Sequence, residues 1–454
     1  MATPYTPQTK MATINDTLSI DILEEIVAIL LSDTSIQTLA TVRQQTRDTC
    51  QLWRLITNEA IYWKRIYISR RTKPDFLAWQ LSQSSGIPLV IQIEGRVIPR
   101  PNDTTEIIRS VPDVNSMASM IDSCLVPEFH RVETLRAEAI HVEDWIALVG
   151  AISQCATNCL RDVEFTIGAI NPPGMIRAHL AALSRGGPPP AGPYLPASKW
   201  HNVRSLKLKD LIPISGEWNG HANLTTLDIS ATHQVPKQTI LTMLRATKRL
   251  RELVLEDVLF ATDLDASTTP DVTGVTLHSV ERLKFMNWGN QTWSILQHLK
   301  MPGLKVLSLT LMGAKTFEAV ATTCGHLLNT VQYLQLKFVA TPADGEAAIW
   351  KGLCDIKTID ITQSRLETWD SLEDYVASNR EMWTELAEIR IRQYLTRKQA
   401  SDILEREQVK SVVAWMTQED GGPPQSMEMT KFERKGDKVG TTPKIAQDLW
   451  NETK

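Results

Sequence analysis

The sequence predicts an α/β protein in which a module of three short helices precedes a curved repeat solenoid, with a parallel sheet on the concave side and helices or turns outside. Three observations carry that expectation. Apolar residues recur at helical spacing between residues 14 and 67, and a three-then-two spacing of aliphatic residues returns ten times between Val132 and Ile391. Several stretches between those copies revert to helical spacing.

At 454 residues the chain is long enough for more than one domain or for one extended array. Its 43% hydrophobic and 22% charged residues and formal net charge of -4 demand neither nucleic acid nor membrane as partner. Residues 1–13 are polar, expected to be disordered, and lack the apolar stretch of a secretory signal. No apolar run approaches the roughly 20 residues of a membrane span, so a cytoplasmic and/or nuclear location is expected. The six cysteines are scattered. The closest pair, Cys155 and Cys159, has no second pair or histidine nearby, which suits reduced structural thiols better than zinc or a disulfide framework.

In the helical module, residues 14–67, Leu18, Ile22, Leu23, Ile26 and Leu30 recur at helical spacing, and the charges of Asp21, Glu24 and Glu25 favour the helix start. Ser32, Asp33 and Thr34 break this helix and cap the next, which carries Leu39, Val42, Thr46, Cys50 and Trp53 as a stripe. Asn58 caps a last turn leading into Trp63 and Ile66. About fifty residues lie near the lower limit for a self-sufficient core. Part of this apolar surface is therefore left for a partner or for the rest of the chain, and periodicity weighs the two equally.

The module resembles the F-box family, whose pattern opens Leu-Pro-x-Glu-Ile-Leu, passes through a Cys-x-x-Trp-Arg element and ends on a further Trp. The matching residues are Leu18-Ser19-Ile20-Asp21-Ile22-Leu23, Cys50-Gln51-Leu52-Trp53-Arg54 and Tyr62-Trp63-Lys64-Arg65-Ile66. Ser19 stands where the family has Pro, yet each favours a helix start, Pro as first helical residue and Ser as cap. A strand, helix and strand follow over residues 66–68, 74–84 and 88–93, a layout similar to that after the F-box in many fungal members. The resemblance implies docking on a Skp-type adaptor, and through it a cullin, by Leu18, Ile22, Leu23, Ile26, Val42, Cys50, Leu52 and Trp53.

The clearest repeat copies are Val203-Leu206-Leu208, Leu224-Leu227-Ile229, Leu250-Leu253-Leu255, Val280-Leu283-Phe285, Leu304-Leu307-Leu309, Val331-Leu334-Leu336, Ile356-Ile359-Ile361 and Leu386-Ile389-Ile391. Val132-Leu135-Ala137 and Leu160-Val163-Phe165 are weaker. Copies start mostly 21 to 30 residues apart, with one gap of 43. This is the period of a leucine-rich repeat, in which alternate strand residues point inward and a helix or turn returns outside. Returns are visible at residues 239–248, 292–299 and 315–328, where Ile240, Met243, Leu244, Trp293, Leu296, Phe317, Val320 and Leu327 take helical spacing. Irregular copy lengths make the array similar to the repeats of F-box proteins.

These readings divide the chain into a module at 14–67, a connecting segment at 68–126, the array at 127–395, a capping helix at 396–417 and a flexible tail at 418–454. The Gly/Pro-rich stretch 185–197 is read as an exposed insertion, the alternative being a linker between two sub-arrays.

Residues between the inward ones face the concave side, the usual recognition surface of such arrays. The candidates there are Lys207, Asp228, Val254, Glu256, Lys284, Met286, Gln335, Lys337, Asp360, Arg390 and Arg392, with Trp288 at a rim. Most of these are expected to be merely solvated, since few residues dominate an interface. Their mixed signs fit a protein partner better than a polyanion. Trp293 and Trp350 are expected to pack in outer helices. No phosphate loop, dinucleotide motif, His-Glu-x-x-His or Gly-x-Ser-x-Gly occurs, and the nine histidines show no metal-ligand spacing. No cofactor and no catalysis by this chain are expected. The family resemblance implies the substrate-recognition subunit of a cullin-based (SCF-type) ubiquitin ligase; the alternative is a repeat scaffold for protein interaction without a ligase.

Overall fold

The computed structural model describes residues 18–35, 37–69, 71–95, 117–140, 148, 152, 154–167, 201–209, 221–230, 237–258, 274–286, 292–310, 312, 320, 322, 324–339, 348–364, 372, 383, 385–395, 397–406, 409–416, 429–435 and 438–444. The chain divides into two compact units, Met1–Leu195 and Pro196–Lys454. The division falls within the Gly/Pro-rich stretch 185–197. Residues 185–197 themselves, like 1–13, lie outside the described residues.

In the first unit α1 (Ile20–Asp33) is the first expected helix. The second, expected to run from Leu39 to Trp53, is broken by the extended backbone of Cys50 into α2 (Leu39–Thr49) and α3 (Gln51–Thr57), and Asn58 stands at the C-cap of α3 instead of capping the next turn. Ser19 is the N-cap of α1, and its hydroxyl accepts the Ile22 N–H at 3.4 Å. A short turn of helix, Ala60–Trp63, leads into strand β1 (Arg65–Ser69). Three more strands follow, β2 (Leu89–Glu94), β3 (Val132–Ile140) and β4 (Asp162–Ile167), and the four pair in chain order, all parallel. Parallel neighbours need a crossover. Between β1 and β2 it is α4 (Pro74–Gln83), which buries Leu77 and Leu81.

Arg131 closes the end of α4. Its guanidinium donates to the carbonyl oxygens of Leu81 at 2.8 Å, Ser84 at 2.6 Å and Ile87 at 3.1 Å, while Glu128 accepts from Nε at 2.6 Å. A planar fork of donors is suited to carbonyls that a helix end leaves unsatisfied. The helix and strand expected over 74–84 and 88–93 are thus α4 and β2, which make the connecting segment 68–126 a part of the sheet and its crossover. Trp63, Ile66 and Ile68 also carry the three-then-two spacing and are buried. An aromatic residue in the leading aliphatic position hid this copy from the pattern.

The second unit carries β5 (Ser205–Lys209), β6 (Thr226–Ser230), β7 (Glu252–Glu256), a short β8 (Val275–Thr276), β9 (Arg282–Met286), a short β10 (Leu299–Lys300), β11 (Val306–Thr310), β12 (Tyr333–Lys337), β13 (Thr358–Gln363), β14 (Glu388–Leu395) and β15 (Ser411–Met416). Apart from β8 and β10, which pair with each other, these run parallel in chain order. Every inward position of the ten repeat copies is at most 6% exposed. The outer layer includes α5 (Lys237–Ala246), which buries Ile240, Leu241, Met243 and Leu244. Ile295 and Leu296 are buried on the turn Thr292–His298, and Trp350 sits edge-on to Trp383 with centroids 6.2 Å apart. Phe317 and the Trp293 side chain lie outside the described residues.

The end of the array departs from the expected capping helix and flexible tail. Residues 396–417 divide into α6 (Arg397–Arg406) and the strand β15. Val409, Val412 and Ala414 have the repeat spacing and are buried, and pairing with β14 satisfies an edge that a helix cannot. Two antiparallel strands, β16 (Met429–Lys435) and β17 (Lys438–Lys444), extend the sheet within the expected tail. Phe432 is fully buried there; charged neighbours concealed its alternation.

Asp257 and Phe338 occupy equivalent places just past β7 and β12, both at φ 52°. Each donates its N–H to the next strand, to Met286 O at 3.1 Å and Gln363 O at 2.9 Å. A bulky side chain tolerates this left-handed backbone worse than Asp does. Phe338 is also more than half exposed, so little packing compensates. Phe338→Asn is expected to stabilise the chain by about 1 kcal/mol, read as a higher urea midpoint with unchanged slope. Leu307→Ala, deep in the inward row, is expected to cost roughly 2 to 5 kcal/mol in the same measurement.

Candidate functional site

Among the described residues each unit presents a candidate surface. In the helical module Leu23, Val27, Leu31, Leu39 and Ile56 form a closed core, with Leu18, Ile26, Val42, Leu52, Trp53 and Tyr62 packed half-buried around it. The residues inferred as adaptor contacts are therefore divided. Leu23 is fully buried and supports the surface from within, Ile22 is 45% exposed, and the others, with Cys50, lie half-buried at the margin. Further exposed residues, Ile20, Ile29, Leu30, Leu55 and Ile61, join Ile22 to make six of the eight large exposed hydrophobics among the described residues. Ile22, Ile26, Ile29 and Leu30 fall at i, i+4, i+7 and i+8, one stripe beside the buried one. Ile29 was legible from that spacing; Leu55 and Ile61 were not, because α3 and the turn after it are too short to show a period.

The module is fastened to the sheet that follows. Trp63 is buried with its indole N–H on Thr57 O at 2.8 Å, edge-on to Trp79, and the Arg43 guanidinium lies 4.8 Å over its ring. Arg43 donates to Arg65 O at 2.8 Å. Burial, and then the charge of Arg65, lowers Arg43 to about 9. A cation over an aromatic face in a desolvated setting is a strong local tie.

In the second unit the candidate face residues line up. Lys207, Asp228, Val254, Lys284, Ser308, Gln335, Asp360 and Arg390 are successive register partners across β5 to β14. A second row runs Lys209, Ser230, Glu256, Met286, Thr310 and Lys337. The rows differ in exposure along their length. Val254, Ser308, Gln335, Asp360 and Arg390 are buried, whereas Lys207, Asp228, Glu256, Lys284, Met286 and Lys337 are half-buried. Trp288 and the Arg392 side chain lie outside the described residues.

The first row of the buried stretch is hydrogen-bonded within itself, while the buried Thr310 hydroxyl on the second row has no hydrogen-bond partner among the described residues. Ser308 Oγ donates to Gln335 Oε1 at 3.1 Å, Gln335 Nε2 donates to Asp360 Oδ2 at 3.2 Å, and Asp360 Oδ1 accepts from the N–H and hydroxyl of Thr362. Arg390 pairs with Glu388 at 2.6 Å, and Ser411 and Lys431 reach the other oxygen of that carboxylate. At the other end Lys284 pairs with Glu256 at 2.6 Å. Val254 and Val306 pack with Tyr333 as a small apolar cluster on this face. Sequence reasoning missed Val306 and Tyr333, since they precede the positions read as outward.

Among the described residues, no group of three His, Cys, Asp or Glu is placed to hold a metal ion, and no helix is long and apolar enough to cross a membrane. No protein-family model and no curated protein matches the chain. Among solved structures, the crystal structure of the Rad7 and Elc1 complex in yeast aligns with 82% of this chain and 87% of that chain, at 12% identity and a TM-score of 0.35.

Asp228 on β6 and His221 in the turn before it titrate in opposite senses. Burial, and then Glu256, pushes the Asp228 carboxyl up to about 6 against the pull of Lys207, Lys209 and Lys284. Burial pushes His221 down to about 4. Between pH 3.8 and about 6 the folded chain holds a proton on Asp228 that the unfolded chain releases, so this group favours folding as pH falls. Between pH 6.5 and about 4 the unfolded chain takes up a proton that folded His221 refuses, so this group opposes folding as pH falls. Asp228→Asn is expected to steepen the loss of stability from pH 6 to 4, and His221→Gln to reduce or reverse it, in urea titrations at both ends of that range. Equal slopes in the two variants would show that both groups titrate in the folded chain as they do in the unfolded one.

Proposed function

We propose that this chain is a non-catalytic substrate-recognition subunit of a cullin-based ubiquitin ligase, its F-box-like helices docking on a Skp-type adaptor and its repeat array holding a protein substrate. The observation that carries this reading is the double apolar stripe of α1. One side, Leu23, Val27 and Leu31, closes the module's own core, and the other, Ile22, Ile29 and Leu30, stays exposed. Monomeric surfaces seldom concentrate large aliphatics in this way unless a partner covers them. Of the residues that the F-box resemblance implies as adaptor contacts, Ile22 is exposed on this stripe and Ile26 lies half-buried on it. In such an assembly the chain acts by raising the effective concentration of a substrate near a ubiquitin-charged enzyme supplied by other subunits, and needs no cofactor of its own. The half-buried charged end of the sheet face, Lys207, Asp228, Glu256, Lys284 and Met286, together with Lys337, is the proposed substrate side.

Co-expression with a Skp-type adaptor tests the reading, and the structure chooses the variants. Leu23→Asp places a charge in a closed core and is expected to unfold the module. Ile22→Asp with Leu55→Asp alters exposed positions only, and is expected to keep the chain folded while adaptor capture falls by at least about tenfold. Wild-type chain that captures no adaptor where an established F-box protein does would leave the scaffold alternative.

A further inference from the structure

We propose that the N-terminal edge of the second unit's sheet binds an acidic, extended segment of a partner protein. The residue just before each parallel strand is hydrogen-bonded, backbone to backbone, to its counterpart on the next. Thr225 N–H reaches Arg204 O, Arg251 reaches Thr225, Glu281 reaches Arg251, Lys305 reaches Glu281, Gln332 reaches Lys305, Lys357 reaches Gln332, Ala387 reaches Lys357 and Lys410 reaches Ala387, all at 2.8 to 3.0 Å. This row places a cation at every second strand: Arg204, Arg251, Lys305, Lys357 and Lys410. Lys357 is half-buried and the other four are exposed.

Strands lie about 4.8 Å apart, so the five cations repeat at about 10 Å along one edge. Among the described residues only Lys305 has an ion-pair partner, Glu281 at 3.4 Å, and both are about half exposed, where such a pair is weak. Lys248 and Arg249 add charge in the turn before β7, against Asp355 and Glu385 in later turns. A basic edge on a chain of net charge -4 is a local excess that composition conceals.

The spacing selects the ligand chemistry. A polyproline-type chain rises about 3.1 Å per residue with three residues per turn, so acidic side chains at every third position recur on one side at about 9.3 Å. That pitch matches the ladder. A nucleic acid strand instead carries a charge about every 3.4 Å, and would set phosphates against Glu281 in the middle of the row. The acidic protein segment is therefore the occupant the edge fits. This inference concerns the second unit alone and stands or falls independently of the adaptor reading.

Fluorescence anisotropy with the full chain tests it, using a labelled peptide with glutamate at every third position separated by Pro and Ser. Parallel arms use the same peptide with glutamine for glutamate and a single-stranded oligothymidylate of equal charge. The acidic peptide is expected to bind, the glutamine peptide to bind at least about tenfold more weakly, and Arg251→Gln with Lys357→Gln to weaken the acidic peptide to a similar extent. Glu281→Gln is expected to tighten binding, and Lys398→Gln on α6 to leave it unchanged. Should the double variant melt at a lower temperature, Arg204→Gln and Lys410→Gln at the ladder ends replace it. Equal binding by wild type and ladder variants, equal binding of both peptides, or tighter binding of the oligonucleotide overturns the proposal.

Discussion

The shared burial of the inward side chains is the constraint from which the rest of each unit follows. A single copy such as Leu304-Leu307-Leu309 has one apolar edge and nothing in its own length to cover it. Its neighbours, Val280-Leu283-Phe285 and Val331-Leu334-Leu336, cover it from both sides in register. Each copy therefore depends on the next, and the dependence ends only where a different element closes the row. In the second unit that closure is an antiparallel pair of strands with Phe432 buried beneath it.

Fixing one face of the sheet to the core determines what the other face can hold. Neighbouring strands bring side chains of the opposite rows within contact distance, so polar residues there engage one another before they meet solvent. Ser308, Gln335, Asp360 and Thr362 form such a relay, and the Glu388 carboxylate gathers Arg390, Ser411 and Lys431. Side chains of this face consequently stay partly accessible at its half-buried end, while the strand starts offer charge at a pitch set by the sheet itself.

The helical module shows the same division on a smaller scale. One apolar stripe of α1 closes a core, and the stripe beside it does not. Behind it α1 is tied to the start of β1, where Tyr62 donates to Glu24 O and Arg65 to Leu31 O, and Arg43 joins α2 to the same strand.

The sequence by itself determined the α/β class, the one-strand-per-repeat architecture and the inward rows, because period and side-chain polarity are local properties that burial enforces. It also determined the helix start at Ser19, since a cap needs only its own next few residues. Copies led by Trp63 or Val409 escaped it, as aromatic substitution and a helix-like composition blur the same period. Only the tertiary structure decided which apolar residues of α1 stay exposed, which face residues of β11 to β14 are buried, and that cations of every second repeat share one edge. Those outcomes depend on strand register and on what packs behind each residue, and neither is written in the spacing along a single chain.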